Sequence, residues 1–256
     1  MVRGQLVLFL SAEYCLTMWT IVDDSAVLKE PLLSARLPLG CLSDGLVDVT
    51  FQGRPLGWKK WMGISGGHDT ELFRQHDYVR GNDLNCCYAW KNDRGTTLES
   101  SWRVLQMESS SVGIELLISV QDHPPGETPV ISVGTTVTVQ ECLLLDADSQ
   151  RWSYFDRTAA PTLLETPGCI LCRQEDCDFS YLEMLHPADF GAGELLAGNE
   201  QPGEVSWTFQ LLLDQLEKGV IRRSRLQGWI IPRDGDQQQA EALFLQFRNA
   251  PCRLST

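Results

Sequence analysis

Nowhere in the 256 residues does an apolar run approach the roughly 20 residues that a membrane-spanning helix requires. Positive charge is also scarce: Lys and Arg total 21 against 34 Asp and Glu, giving a net charge of −13 and a pI near 4.7. A surface of that sign repels phosphate backbones and anionic headgroups, and no basic patch offsets it, so nucleic acid is not an expected partner. The densest cationic run, Arg222, Arg223 and Arg225, falls in a strand-like segment where alternate residues face opposite ways, and it reads as an ion-pairing stripe. Phosphate-loop, dinucleotide and nucleophile-elbow signatures are missing too. No motif therefore names a reaction, and none calls for a cofactor.

Nine cysteines cannot all pair within one chain. Cys86 and Cys87 are adjacent, and neighbours on a strand point to opposite faces. Both features suit reduced thiols acting as small hydrophobes in a reducing compartment. Cys169, Cys172 and Cys177 give C-x2-C-x4-C, but a zinc site needs a second knuckle, and Ile170 and Leu171 look like strand core. The expected localisation is cytoplasmic. Secretion is the alternative, carried only by Arg3 and the short Leu6 to Leu10 run before Glu13.

What the chain does have is period-two alternation, the mark of half-buried strands. Val112, Ile114, Leu116, Ile118 and Val120 form the cleanest example. Val47 to Phe51, Leu98 to Val104, Ile131 to Val139, Val205 to Leu211 and Val220 to Ile231 follow the same rule. Turn signals separate them at Asn92–Gly95, Pro124–Gly126, Asp146–Ser149, Pro167–Gly168 and Asn199–Gly203. Ala240, Leu243, Phe244 and Phe247 instead recur at helical spacing, with Asp234 or Asp236 as cap and Asn249 and Pro251 as stop. The expectation is an all-β fold: one antiparallel β-sandwich over residues 16–256, closed by a C-terminal helix at about 236–249, with residues 1–15 as a disordered or extension segment. No internal repeat or linker divides it.

Two polar clusters are candidate sites. Gly66 to Gly81 holds two of the four histidines, three carboxylates and two arginines, and follows Trp58 and Trp61. Loops on a rigid scaffold are where binding and catalytic groups concentrate. A metal held by His68, Asp69, Glu71 and His76 matches no spacing with a mechanism, and no metal is expected. In the second cluster, Ser180 to Phe190, Leu182, Met184 and His186 share one strand face, while Tyr181 and Glu183 share the other.

Several phrases resemble those of a family of bacterial β-rich proteins of uncharacterised activity. They are Leu39-Gly40 with Ser43-Asp44-Gly45, Asp77-Tyr78-Val79-Arg80-Gly81 with Asp83-Leu84, and Trp102-Arg103. Leu117 to Gln121, Tyr181 to Phe190, Glu217 to Ile221 and the closing helix complete the likeness. More loosely, the chain is similar to the super-sandwich folds of sugar-handling proteins such as the galactose mutarotases. The resemblance implies a β-rich, super-sandwich-like fold and no particular cofactor.

The function expected is binding, or an accessory role, toward a carbohydrate-like or other polar small ligand. Trp58, Trp61, Asp69, Glu71, Arg74, Asp77 and Arg80 are the candidate contacts. The alternative is an epimerase- or lyase-type enzyme drawing acid and base from His68, His76, Glu183 and His186. A third reading is a structural or oligomeric interaction protein with no small-molecule site.

Overall fold

The computed structural model describes residues 18–66, 72–90, 96–108, 110–121, 130–158, 161–165, 168–198, 200–211 and 221–251, with 107 and 108 described by backbone alone. The described residues form nineteen strands in three sheets, one α-helix and two short 3-10 helices, every strand pair antiparallel. The chain begins with a five-stranded meander: β1 (Trp19–Val22), β2 (Ser25–Lys29), β3 (Leu33–Pro38), β4 (Val47–Phe51) and β5 (Arg54–Pro55). Then follow β6 (Lys60–Gly66), β7 (Leu72–Arg80), β8 (Asp83–Trp90), β9 (Thr97–Glu108), β10 (Ser111–Gln121) and β11 (Ile131–Thr138). Next come β12 (Glu141–Leu145), β13 (Trp152–Tyr154), β14 (Thr162–Leu164), β15 (Cys169–Arg173) and β16 (Phe179–Leu185). The chain closes with β17 (Phe190–Ala197), β18 (Glu204–Leu211), β19 (Ile221–Pro232) and α1 (Asp236–Asn249).

Nine strands make the large sheet, in the order β13-β12-β15-β16-β19-β10-β9-β8-β7. A second five-stranded sheet, β14-β17-β18-β11-β6, contributes Ile131, Val133, Val205, Trp207 and Phe209 to a core shared with the large sheet. This is the sandwich that alternation implies. Val112, Ile114, Leu116, Ile118 and Val120 of β10 are 1% exposed or less. Their cross-strand partners on β19 and β9, including Ile230, Leu226, Leu98, Trp102 and Val104, belong to the same core. Full burial of each such side chain stabilises the fold by about 1.5–3 kcal/mol.

The last strand sits in the middle. β19 pairs with β10 on one side and β16 on the other, joining the β7–β10 meander to the β12–β16 half. The helix then folds onto the outer face of that second half, the face turned away from the shared core. Ala240, Leu243, Phe244 and Phe247 pack on Leu143, Leu171, Leu182, Met184, Trp229 and Ile231. Among the described residues, no helix covers the outer face over β7–β10, and this asymmetry positions the site.

The cap differs from the sequence expectation. Gly235, in the left-handed region at φ 71°, precedes the helix and makes no side-chain cap, while Asp236 lies inside the first turn. Its carboxylate accepts from Arg173 Nε and Nη2 at 2.9 and 2.7 Å and from Ser180 Oγ at 2.6 Å. Asp236 therefore bolts the helix to β15 and β16 instead of capping it. Burial alone would raise its pKa, but Arg173 and Ser180 outweigh that and hold it below the usual carboxylate value.

Candidate functional site

The two tryptophans expected to line a groove are core residues. Trp58 is 6% exposed and Trp61 0%. Both pack on Tyr181 between the sheets, with ring centroids 4.6 and 5.6 Å away. For Trp61 the reason is a bulge in β6. Trp61 and Met62 together stand opposite Thr135 of β11, and Met62 takes φ 57° to do so. Gly228 makes room, since a Cβ there would lie 2.8 Å from Trp61 Nε1.

Glu183 is the polar centre of this packing. It is 0% exposed and accepts from Trp207 Nε1 (2.8 Å), from Thr135 Oγ1 (2.8 Å) and from the Tyr181 hydroxyl. Thr135 Oγ1 in turn accepts from the Met62 backbone N–H at 2.9 Å. Burial raises the pKa of Glu183 despite these three donors. The carboxyl is fully engaged and sealed from solvent, so its place is architectural.

His186 is on the other side of the large sheet, at the end of β16. Its Nδ1 accepts from Ala188 N at 3.3 Å, and its Nε2 donates to the Arg248 carbonyl at 3.1 Å. Its ring meets Phe247 edge-on, with centroids 5.5 Å apart. Burial, then the nearby Arg225, lowers its pKa and favours this neutral form. The histidine ties the helix end to the sheet. Strands β8, β9, β10 and β19 lie between it and β7. At about 4.8 Å per strand, His76 and His186 stand roughly 24 Å apart across the sheet. The structure therefore does not bring His76, Glu183 and His186 together: two share a face at a distance, and Glu183 is on the opposite face.

Of the remaining candidates, His68, Asp69 and Glu71 lie outside the described residues. Arg74 and Asp77 point to the inner face of β7 and pair with each other, and Arg74 also reaches Asp24 at 3.1 Å. That pair stitches β7 to the turn after β1. Arg80 stands on the outer face opposite Asp83.

What the structure does assemble is a set of side chains on the open part of the outer face. Cross-strand register places His76, Cys87, Glu99, Ser119 and Arg223 in one row over β7, β8, β9, β10 and β19. Tyr78, Asn85, Ser101, Leu117 and Arg225 form the next row. Eight of these ten, all but Arg223 and Arg225, line one cleft of about 140 Å³. The His76 and Tyr78 rings stack nearly parallel, 12° apart with centroids at 6.3 Å, and Tyr78 is 50% exposed. A third row, Arg80, Asp83, Arg103, Glu115 and Gln227, borders a groove of about 350 Å³ beneath the end of α1. There the groups are already paired: Arg103 to Asp83, and Gln227 Nε2 to Glu115 at 2.7 Å.

Two other hollows are larger than the cleft but chemically quieter. One of about 530 Å³ lies by Arg54, Arg157 and Gln174, whose donors are tied to the carbonyls of Asp176, Val139, Leu56 and Thr138. Another, of about 270 Å³, is walled largely by Leu144, Leu163, Leu164, Ile170 and Phe209. Among the described residues no three His, Cys, Asp or Glu side chains converge as metal ligands. Cys169 packs under the helix while Cys172 faces the other core, where its Sγ lies 3.8 Å from Cys142 Sγ. In the cleft, burial and then Glu99 raise the Cys87 thiol, which keeps it protonated and a poor nucleophile.

Sequence reasoning did not pick out Asn85, Glu99, Ser101 and Ser119, and it read Arg223 only as part of an ion-pairing stripe. All but Asn85 are outward-facing residues of a strand recognised by alternation. Only the strand order gathers them.

No protein-family model matches the chain, and no curated protein matches it in sequence. Among solved structures, it is similar in fold to a Klebsiella pneumoniae protein provisionally assigned as an aldose 1-epimerase. That match has a TM-score of 0.57 at 8% identity and covers 90% of this chain and 86% of the other. At that identity the likeness speaks to the fold. Among the described residues, no helix is long and apolar enough to cross a membrane.

Proposed function

We propose that the protein binds a carbohydrate-like polar ligand on the open outer face of its large sheet, in the His76–Tyr78–Glu99 cleft. The observation that carries this is the concentration there of polar side chains that make no side-chain hydrogen bond among the described residues. His76, Tyr78, Asn85, Glu99, Ser101 and Ser119 bring a carboxylate, an amide, hydroxyls and an imidazole to one concave surface. A hydroxylated ring needs such a mixture of donors and acceptors, together with an exposed aromatic ring for its apolar face. The fold it shares with a protein assigned to aldose epimerisation supports the same ligand class. Trp58 and Trp61 have no part in this version of the site, and of the earlier candidates His76 is central.

Isothermal titration with a panel of monosaccharides tests it. Binding by the intact protein, weakened at least tenfold in Tyr78→Ala and in Glu99→Gln, is the expected result. Equal binding by both variants would move the ligand elsewhere.

A second reading has its own support. His76 and Glu99 line one cleft, which allows an acid and a base to face one ligand. In an epimerase, one would take the proton of the anomeric hydroxyl while the other protonates the ring oxygen, opening the carbon–oxygen bond to the aldehyde and reclosing it on the other face. Polarimetry of freshly dissolved sugar tests this: acceleration abolished by His76→Ala would favour enzyme over binding protein.

A further inference from the structure

The row that crosses the cleft ends in a cation. Arg223 is the strand partner of Ser119, on the same outer face, since Ser224 beside it is fully buried on the inner face. Other arginines of this region are engaged. Arg103 holds Asp83; Arg225 donates to the carbonyls of Ala250 and Pro251 at 3.0 Å and lies over the Phe247 ring; Arg222 donates to the Ala188 carbonyl at 3.3 Å. The Nε atoms of Arg222, Arg223 and Arg225 are all buried without a partner, but Arg223 alone of the three makes no hydrogen bond through its terminal nitrogens among the described residues. Leaving a buried donor unsatisfied costs about 1–3 kcal/mol, more for a charged group, so a guanidinium left in this state calls for an acceptor.

Glu99 is two strands away on the same row, a Cα separation of about 10 Å, and the two do not form an ion pair. Arg223 stands just beyond the cleft wall, next to Ser119 on the same face. Glu99 and His76 offer partners to hydroxyls inside the cleft, and Arg223 offers a planar fork at its β19 side. The chain as a whole carries a net charge of −13, which repels anions, so a free guanidinium here is a local exception to the surface charge. A single guanidinium matches one carboxylate in shape and charge, whereas a doubly charged phosphate calls for further cations that this face has already paired.

We infer that the ligand of this cleft is a sugar acid, its carboxylate held by Arg223 and its ring hydroxyls by Glu99 and His76. The inference rests on the carbohydrate-binding reading of the cleft and narrows it to a charged class. It also reassigns Arg223 from an ion-pairing stripe to a specificity-determining residue.

Calorimetric titration of the full-length protein with galacturonate, galactose and galactose 6-phosphate tests it, on the wild type and on Arg223→Gln and Arg223→Lys. The wild type should bind galacturonate about 10- to 100-fold more tightly than galactose, the range a charge-assisted hydrogen bond gives. Arg223→Gln should erase that preference, so that the variant binds galacturonate no more tightly than galactose. Arg223→Lys should restore part of it, because a point charge lacks the fork. Should the Gln variant fold poorly, a salt titration of the wild type serves instead, with galacturonate affinity falling as salt rises and galactose affinity constant. Equal affinity for galactose and galacturonate overturns the inference but leaves the sugar site standing. So does a preference that survives Arg223→Gln, or Arg223-dependent binding that favours the phosphate. Failure of all three sugars to bind is a different result, removing the site itself.

Discussion

Two polar clusters in this molecule behave in opposite ways. Around Glu183, donors and acceptors are matched to one another: Tyr181, Trp207 and Thr135 all point at one carboxylate with no route to solvent. Along the row from His76 to Arg223, polar groups of the same kinds stand on the outer face, and among the described residues their capacity is largely unused. The first cluster fixes how two sheets meet. The second is free to do so with something else. Polar residues alone do not mark a site; what marks it is hydrogen-bonding capacity that the fold has left over.

Substitutions can break this comparison. The largest effect is expected from Glu183→Leu, which orphans three buried donors at about 1–3 kcal/mol each. We expect a loss of about 4 kcal/mol in urea denaturation, with ligand affinity unchanged in whatever fraction remains folded. Phe244→Ala should follow at about 3 kcal/mol, the usual loss for an aromatic cavity, because Phe244 is 1% exposed under the helix.

Asp236→Asn comes next, at about 2 kcal/mol, for loss of a charge-assisted pair. This one carries a pH signature. The folded-state pKa of Asp236 is depressed, so its contribution is fully present above the ordinary value of 3.8 and is lost as pH falls below it. The urea midpoint of the wild type should therefore drop more steeply below about pH 4 than that of Asp236→Asn. The smallest effect on stability belongs to Glu99→Gln and Tyr78→Ala, within about 0.5 kcal/mol by thermal melting, as for surface positions that bond nothing. If those two proved as damaging as Glu183→Leu, the open row would be structural after all.

Much of the fold was legible in the sequence because burial on one face imposes alternation, as in Val112 to Val120, and because Ala240, Leu243, Phe244 and Phe247 keep helical spacing. Strand order was not. β19 slots between β10 and β16, more than a hundred residues from the first of these, and no local signal encodes that pairing. The site suffered for the same reason. Sequence reasoning looked for polar residues dense along the chain and found the 66–81 and 180–190 segments. The row instead takes one residue from each of five strands, so Glu99 and Ser119 look unremarkable where they stand, and Arg223 reads as part of a cationic stripe. Trp61 misled differently, since the Trp61–Met62 bulge breaks the alternation that would have shown it to be inward.

The most direct test is side-chain NMR of the histidine imidazoles and tyrosine rings during titration with galactose and galacturonate. The account predicts that His76 and Tyr78 resonances move together and saturate with the ligand, while His186, roughly 24 Å away under the helix end, stays still. Saturating shifts at His186 with none at His76 and Tyr78 would contradict it and place the ligand on the covered half of the sheet.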